Sequence, residues 1–354
     1  MSLSKETILD ALKTVKYPGF SRDIVSFGLV KEVVVEGNSV KVTISLATAD
    51  AAVPEAIYKE AKETLHAVKG VGPVDLEFDI KAPAEGGQAR HQSLENSEIP
   101  GVKRIIAVAS GKGGVGKSTI ASNLAVALQK SGARTGLCDC DLYGPSVAHM
   151  FGSDERPAAT HDNRIIPIEA GGLKLMSMGF LLDDQSPVIV RGPMATRYTQ
   201  QFLRQVEWGE LDYLILDLPP GTGDIQLTIV QTVAVSGAII VTTPQEVALI
   251  DARKASSMFA KVNVPVLGIV ENMSFFVCPS DDQVYHIFGK GGGQAEADRL
   301  GVPLLGEVPI DMATRERADA GSPIALDRSA DSPVSAVFEK LAGTVKEMVP
   351  TTDG

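Results

Sequence analysis

Cysteine is scarce in this chain: Cys138, Cys140 and Cys278 are the only three among 354 residues. So few cannot build a disulfide framework, and they imply a reduced, intracellular compartment. Long apolar runs are missing as well. No stretch approaches the about 18 uncharged apolar residues that a membrane span requires. The opening MSLSKETILDALKTV places acids where a secretory signal needs an apolar core. These readings predict a cytoplasmic protein with no membrane partner. A basic surplus is also lacking. The formal net charge of −11 argues against a non-specific grip on nucleic acid, which depends on a basic face. Net charge leaves local patches open.

Core-forming residues are plentiful. Hydrophobic residues make up 44% and charged residues 22%, the balance of a globular protein with room for one large domain and one small. Residues 1–81 read helix–strand–strand–helix–strand, a small α+β domain. Ile8, Leu9, Leu12 and Val15 form a helical stripe behind Ser4 as N-cap. Lys31–Val35 and Ser39–Leu46 alternate around the turn Glu36-Gly37-Asn38, a helix follows Pro54, and Val74–Ile80 alternates again. Residues 82–100 lack periodicity and read as a linker. Over 101–349 the apolar runs Arg104–Ala109, Thr135–Cys138, Tyr213–Leu218, Ala238–Thr242 and Val266–Val270 alternate with helical stretches. That pattern predicts an α/β fold with a mostly parallel, doubly wound sheet. Residues 350–354 read as a frayed tail.

The first of these runs leads into Ser110-Gly111-Lys112-Gly113-Gly114-Val115-Gly116-Lys117-Ser118-Thr119 and then a helix, Ile120–Lys130. Gly-x4-Gly-Lys-Ser between a strand and a helix is the Walker A pattern of a P-loop NTPase. The glycines let backbone N–H groups converge on phosphate oxygens, and the helix N-terminus adds positive potential. Gly111, Gly113, Gly114, Val115, Gly116 and Thr119 therefore read as the cradle for ATP. Lys117 reads as the counter-ion of the β- and γ-phosphates and Ser118 as a Mg²⁺ ligand. Such chemistry also needs carboxylates, and Tyr213–Asp217 is an apolar strand ending in one, the Walker B form of a Mg²⁺ ligand. Asp139 and Asp141 stand at another strand end, and Asn272 just after Val266–Val270. These three, and the early Lys112, also have ordinary readings as loop acids, a cap and a surface lysine.

The string GKGGVGKST resembles the deviant Walker A of the MinD/ParA class. That resemblance implies a homodimer sandwiching nucleotide, in which Lys112 reaches the partner's phosphates. It also implies that Asp141 orients the attacking water, Asp139 supports the outer metal shell and Asn272 reads the adenine edge. Asp141-Leu142-Tyr143-Gly144-Pro145-Ser146, Arg191-Gly192-Pro193-Met194, Asp217–Asp224, Glu271-Asn272-Met273-Ser274 and Ile287–Gly293 narrow the likeness. With them the chain resembles the Mrp/ApbC-type iron–sulfur cluster carrier ATPases, and its N-terminal segment a SufT-like domain.

This resemblance implies apoprotein clients and a [4Fe–4S] cluster held through Cys-Pro-x-Cys. The chain has Cys278-Pro279-Ser280-Asp281 instead. It also has Tyr17-Pro18-Gly19 and Val53-Pro54 where the small domain commonly carries Asp-Pro-Glu and a cysteine. A carrier ATPase and a cluster-free, ATP-driven dimeric switch both remain open on these residues. Cys138 and Cys140, alternating away from the acids, read as core.

Overall fold

Ser4 opens the first helix by accepting a hydrogen bond at Oγ from the Thr7 N–H, 3.3 Å away, and so caps α1 (Lys5–Leu12). A computed structural model describes residues 3–18, 23–26, 28–47, 52–81, 97–160, 164–180, 202–327 and 332–351. Up to residue 81 the order is α1, β1 (Val30–Glu36), β2 (Ser39–Ala47), α2 (Ala52–Ala67) and β3 (Val74–Lys81). β1 and β2 form an antiparallel hairpin, and α2 carries the chain across to β3, which runs parallel to β2. Alternation in β2 turns Val40, Val42, Ile44 and Leu46 onto Ile8, Leu12, Ile57 and Leu65. Tyr17-Pro18 lies in the described part and Gly19 outside it; Val53, in the first turn of α2, is buried.

The remaining described residues build a sheet of nine strands: β4 (Val102–Ala109), β5 (Thr135–Asp139), β6 (Ile168–Ala170), β7 (Leu173–Ser177), β8 (Leu211–Asp217), β9 (Gly237–Thr242), β10 (Val266–Val277), β11 (Val284–Tyr285) and β12 (Leu304–Ile310). From one edge the order is β6–β7–β5–β8–β4–β9–β10, with β12 and the short β11 both paired to β10. Only the β6–β7 and β10–β11 pairs are antiparallel. β4 lies between β8 and β9, so the loop leaving it emerges beside the C-terminal ends of its neighbours. In such sheets that is the ligand crevice.

One face of the sheet is covered by α3 (Lys117–Lys130) and the C-terminal helix α9 (Pro333–Met348). There Ile120, Leu124 and Leu128 join Phe338, Leu341 and Val345 in one core with Ile106, Val108 and Leu137. Between these helices come α4 (Val147–Met150), α5 (Asp224–Thr232), α6 (Glu246–Lys261), α7 (Gly292–Leu300) and α8 (Met312–Asp319). No helix among the described residues is long and apolar enough to cross a membrane.

The expected elements change at three places. Ser97 pairs in a bridge with Val233, and its Oγ donates to the Thr232 carbonyl at 2.8 Å. The last residues of the expected linker are therefore fastened to the C-terminal end of α5. The expected tail is likewise held at its start: the Pro350 carbonyl accepts from Arg104 Nε at 2.8 Å. β10 runs to Val277, well past Val270, so Asn272 sits inside the strand and not beyond its end.

Candidate functional site

The loop after β4 turns through two left-handed glycines, Gly114 at φ 81° and Gly116 at φ 80°. An L side chain is strained in that region. Close approach constrains the loop as well. A Cβ on Gly111 would overlap the Asp251 backbone of α6, and one on Gly116 would overlap the Asn272 amide nitrogen. That amide donates to the Val115 carbonyl at 2.8 Å. Gly113 and Gly114 are exposed at the loop's crest, and Thr119 lies half-buried in the first turn of α3. Ser110 Oγ bonds the Lys112 carbonyl at 2.9 Å, while the Lys112 side chain has no ion-pair partner among the described residues. Loop, helix start and strand end thus form a cradle into which a Cβ at Gly111 or Gly116 would not fit.

Lys117 and Asp217 meet at the cradle's floor. The Lys117 ammonium, 7% exposed, pairs with Asp217 Oδ1 and lies 3.3 Å from Ser118 Oγ. The other Asp217 oxygen is buried with no hydrogen-bond partner among the described residues. Burial pushes this carboxyl up, against the pull of Lys117. An orphaned carboxylate oxygen beside a serine hydroxyl is the hard oxygen set that Mg²⁺ accepts, so the residues present fit the ion.

Asp139 pairs in register with Asp217 across β5 and β8. It is fully buried and accepts four hydrogen bonds: from the N–H groups of Asp141 (3.0 Å), Ser146 (2.9 Å) and Val147 (3.1 Å), and from Ser177 Oγ (3.0 Å). Burial, then the charge of Asp217, pushes it up to about 6. Its carboxylate fixes the turn that starts α4. Asp141, half-buried, accepts at Oδ1 from the N–H groups of Tyr143 and Gly144, both at 3.2 Å. Lys117, Ser118, Asp139, Asp141 and Asp217 thus converge on one sheet end.

Asn272 reaches the same end from β10 through a local distortion, with Met273 at φ 55° and the pairing to β12 shifting register between Asn272 and Phe276. Its neighbour Glu271 is an anchor that reading residue types did not single out. Fully buried, Glu271 accepts from the Gly293 N–H at the start of α7 and from Ser274 Oγ at 2.6 Å. The co-occurrence of Glu271–Ser274 with Ile287–Gly293 was the available signal. Arg191–Met194 lies outside the described residues.

Cys278 is elsewhere, in the turn between β10 and β11. Its N–H donates to the Gln283 carbonyl at 2.9 Å, and its Sγ is 3.1 Å from Ser280 Oγ. Asp281 accepts from the Gln283 N–H at 3.0 Å and from the Tyr285 hydroxyl at 3.2 Å. The Gln283 N–H holds its carboxyl below the usual range, with Cys278 and Tyr285 adding to the effect. No group of three or more His, Cys, Asp or Glu among the described residues is arranged to hold a metal. Cys138 and Cys140 are fully buried.

A glycine loop passing from a central parallel strand into a helix, with a lysine and acids converging from neighbouring strand ends, defines a P-loop NTPase. The chain belongs to the NUBPL iron-transfer P-loop NTPase family, whose model matches residues 101–346. Residues 5–76 match the iron-sulfur cluster assembly protein family. The iron-sulfur cluster carrier protein of Deinococcus radiodurans is 46% identical over 344 residues, 96% of this chain and 95% of that one. A nucleotide-binding protein of Archaeoglobus fulgidus, solved with ADP, is 39% identical with a TM-score of 0.56, covering 62% of this chain and 87% of that one. The cell division ATPase MinD of Pyrococcus furiosus is 25% identical with a TM-score of 0.53, covering 70% of this chain and 99% of that one.

Proposed function

We propose that this chain binds and hydrolyses ATP with Mg²⁺ as a homodimer, and uses that cycle to carry iron–sulfur clusters to apoproteins in the cytoplasm. The observation that carries the nucleotide half is the buried Lys117–Asp217 pair with its one unpartnered oxygen. Lys117 is preset to exchange Asp217 for phosphate, and Ser118 and Asp217 are the groups that would hold the ion. Mg²⁺ supplies neutralisation of the charge that develops on the phosphates.

Backbone N–H groups of Gly113 to Gly116 would orient the phosphates. Asp141, closer to solvent than Asp139, is the acid placed to position a water. Asp139, committed to four hydrogen bonds, keeps that turn rigid behind the metal shell. Asn272 holds the loop at Val115 and stands where its amide would read a base edge after release. Lys112, without an ion-pair partner among the described residues, suits contact with a partner's phosphate. Residues 1–81, the linker beginning at 82 and the ATPase domain over 101–349 are the functional division that accords with this reading.

The cluster is cargo, and a [4Fe–4S] cargo takes about four thiolates. Cys278 gives two per dimer, and Asp281 offers a hard carboxylate where soft sulfur is wanted. That substitution favours the second reading, an ATP-driven switch that binds a protein partner without a cluster. Anaerobic reconstitution with iron and sulfide, followed by mixing with an apoferredoxin, separates the two. A carrier shows iron and sulfide absorbance that passes to the acceptor and is lost in Cys278→Ser. A protein that never holds iron, yet hydrolyses ATP, is the switch.

A further inference from the structure

We propose that Cys138 and Cys140, together with Met176, form a buried soft-metal site suited to Cu(I). The sheet brings the two thiols together and sets Met176 at the register position beside Cys138. Cys138 pairs in register with Met176 across β5 and β7, so both side chains leave the same face. Their neighbours Leu137 and Leu175 pack into the core beneath α3 and α9, which places the sulfurs on the opposite face. Cys140 follows the last residue of β5 and brings its Sγ to 3.8 Å from that of Cys138. Cys138, Cys140 and Met176 are all fully buried. The Cys140 N–H is tied to the Asp217 carbonyl at 2.9 Å, so the spacing is held by the sheet backbone.

That spacing is a metal bite. Metal–thiolate bonds of about 2.3 Å at tetrahedral to trigonal angles separate two sulfurs by roughly 3.8 to 4.0 Å. A disulfide is a poor fit. Residues two apart on an extended strand stand about 6.6 Å apart at Cα, near the upper limit for a bridge. Two thiolates and one thioether select a soft ion. Zinc almost always takes four ligands in structural sites, whereas Cu(I) is satisfied by fewer. Binding releases the two thiol protons to solvent and changes no oxidation state. The site is separate from Cys278 and from the cluster-carrying reading, and Asp139, between the two cysteines, points to the other side of the strand.

The test is an anaerobic titration of the reduced full-length Cys278→Ser protein with Cu(I), against a chromophoric Cu(I) chelator. One ion per chain is expected to resist the chelator, with X-ray absorption showing sulfur-only coordination. Cys140→Ala in that background is expected to weaken retention by roughly a hundredfold. Met176→Leu, nearly isosteric, is expected to weaken it about tenfold. No retained ion in Cys278→Ser, or unchanged retention in a Cys140→Ala protein with a normal thermal transition, overturns the proposal. If Cys140→Ala does not fold, Met176→Leu decides: a tenfold weakening supports the site, and an unchanged affinity overturns it.

Discussion

Lys117 has a partner before any phosphate arrives, and that partner is itself half satisfied. Asp217 is fully buried, so removing the lysine leaves a buried carboxylate with no counter-charge. Breaking such a pair typically costs about 3 to 5 kcal/mol. Lys117→Ala is therefore expected to lose ATP hydrolysis, to weaken ATP binding by at least about tenfold, and to lower the thermal midpoint of the nucleotide-free protein. Calorimetric titration and a melting curve check both effects. Wild-type affinity and turnover would remove Lys117 from the site.

Asp139 makes a prediction of opposite electrostatic sense. Its carboxyl is raised from the ordinary 3.8 to about 6, so between those values the folded state holds a proton that the unfolded state has lost. By linkage, stability falls as pH rises through this window, with a slope of up to about 1.4 kcal/mol per pH unit. Below it the group contributes no slope. Metal- and nucleotide-free protein, unfolded by denaturant at several pH values, is expected to show that decline, and Asp139→Asn to flatten it. A wild-type curve that rises with pH across the window would contradict the assignment. The sequence marked Asp139 as an acid at a strand end, and the structure places it there. It did not disclose the commitment to Ser146, Val147 and Ser177, because those bonds depend on how the turn and β7 fold back.

At the scale of elements, β10 ties the site together. Glu271 caps α7, Asn272 grips the loop at Val115, and Cys278 follows the strand's far end. The sequence pattern truncated this strand at Val270 for a physical reason. Glu271, Asn272 and Ser274 break the apolar run, and their burial is tolerable only because each finds a partner. The other central strands were legible because both their faces are covered and their sequences are uniformly apolar. The contact between Asn272 and Gly116 gives a double-mutant test. Gly116→Ala meets both the left-handed φ and the Asn272 amide. It is expected to reduce ATP binding by more than about tenfold and to destabilise the protein by about 1 to 3 kcal/mol. Asn272→Ala on top of it relieves the steric part and leaves the conformational part. The double variant is thus expected to be less damaged than the sum of the singles, beyond the roughly 0.5 kcal/mol of ordinary additivity error. Strict additivity, measured by denaturant unfolding of all four proteins, would mean that the two positions do not touch.

At the scale of the whole molecule, the chain's own residues leave the site with one lysine to spare. Lys117 is paired, and Lys112, on the same loop and half-buried, has no ionic partner among the described residues. A second cation this close to bound phosphate is useful only if it meets negative charge. In the proposed cycle Lys117 serves its own chain's nucleotide, so the second charge is best met across a two-fold interface. Such an assignment was legible only through resemblance to the deviant Walker class, since residue type and spacing alone also fit a solvated surface lysine. Lys112→Ala is expected to bind ADP as tightly as the parent, because the monomer's cradle is untouched. With a slowly hydrolysed ATP analogue and Mg²⁺, its sedimentation is expected to stay monomeric where the parent dimerises, and its hydrolysis rate is expected to fall by about a hundredfold or more. Lys112→Arg keeps the charge and is expected to recover part of the dimer but less of the rate, because the longer, planar group is placed differently. An unchanged monomer–dimer balance and unchanged turnover in Lys112→Ala would assign that lysine to the solvated surface. Weakened ADP binding in the isolated chain would assign it to its own nucleotide instead of the partner's.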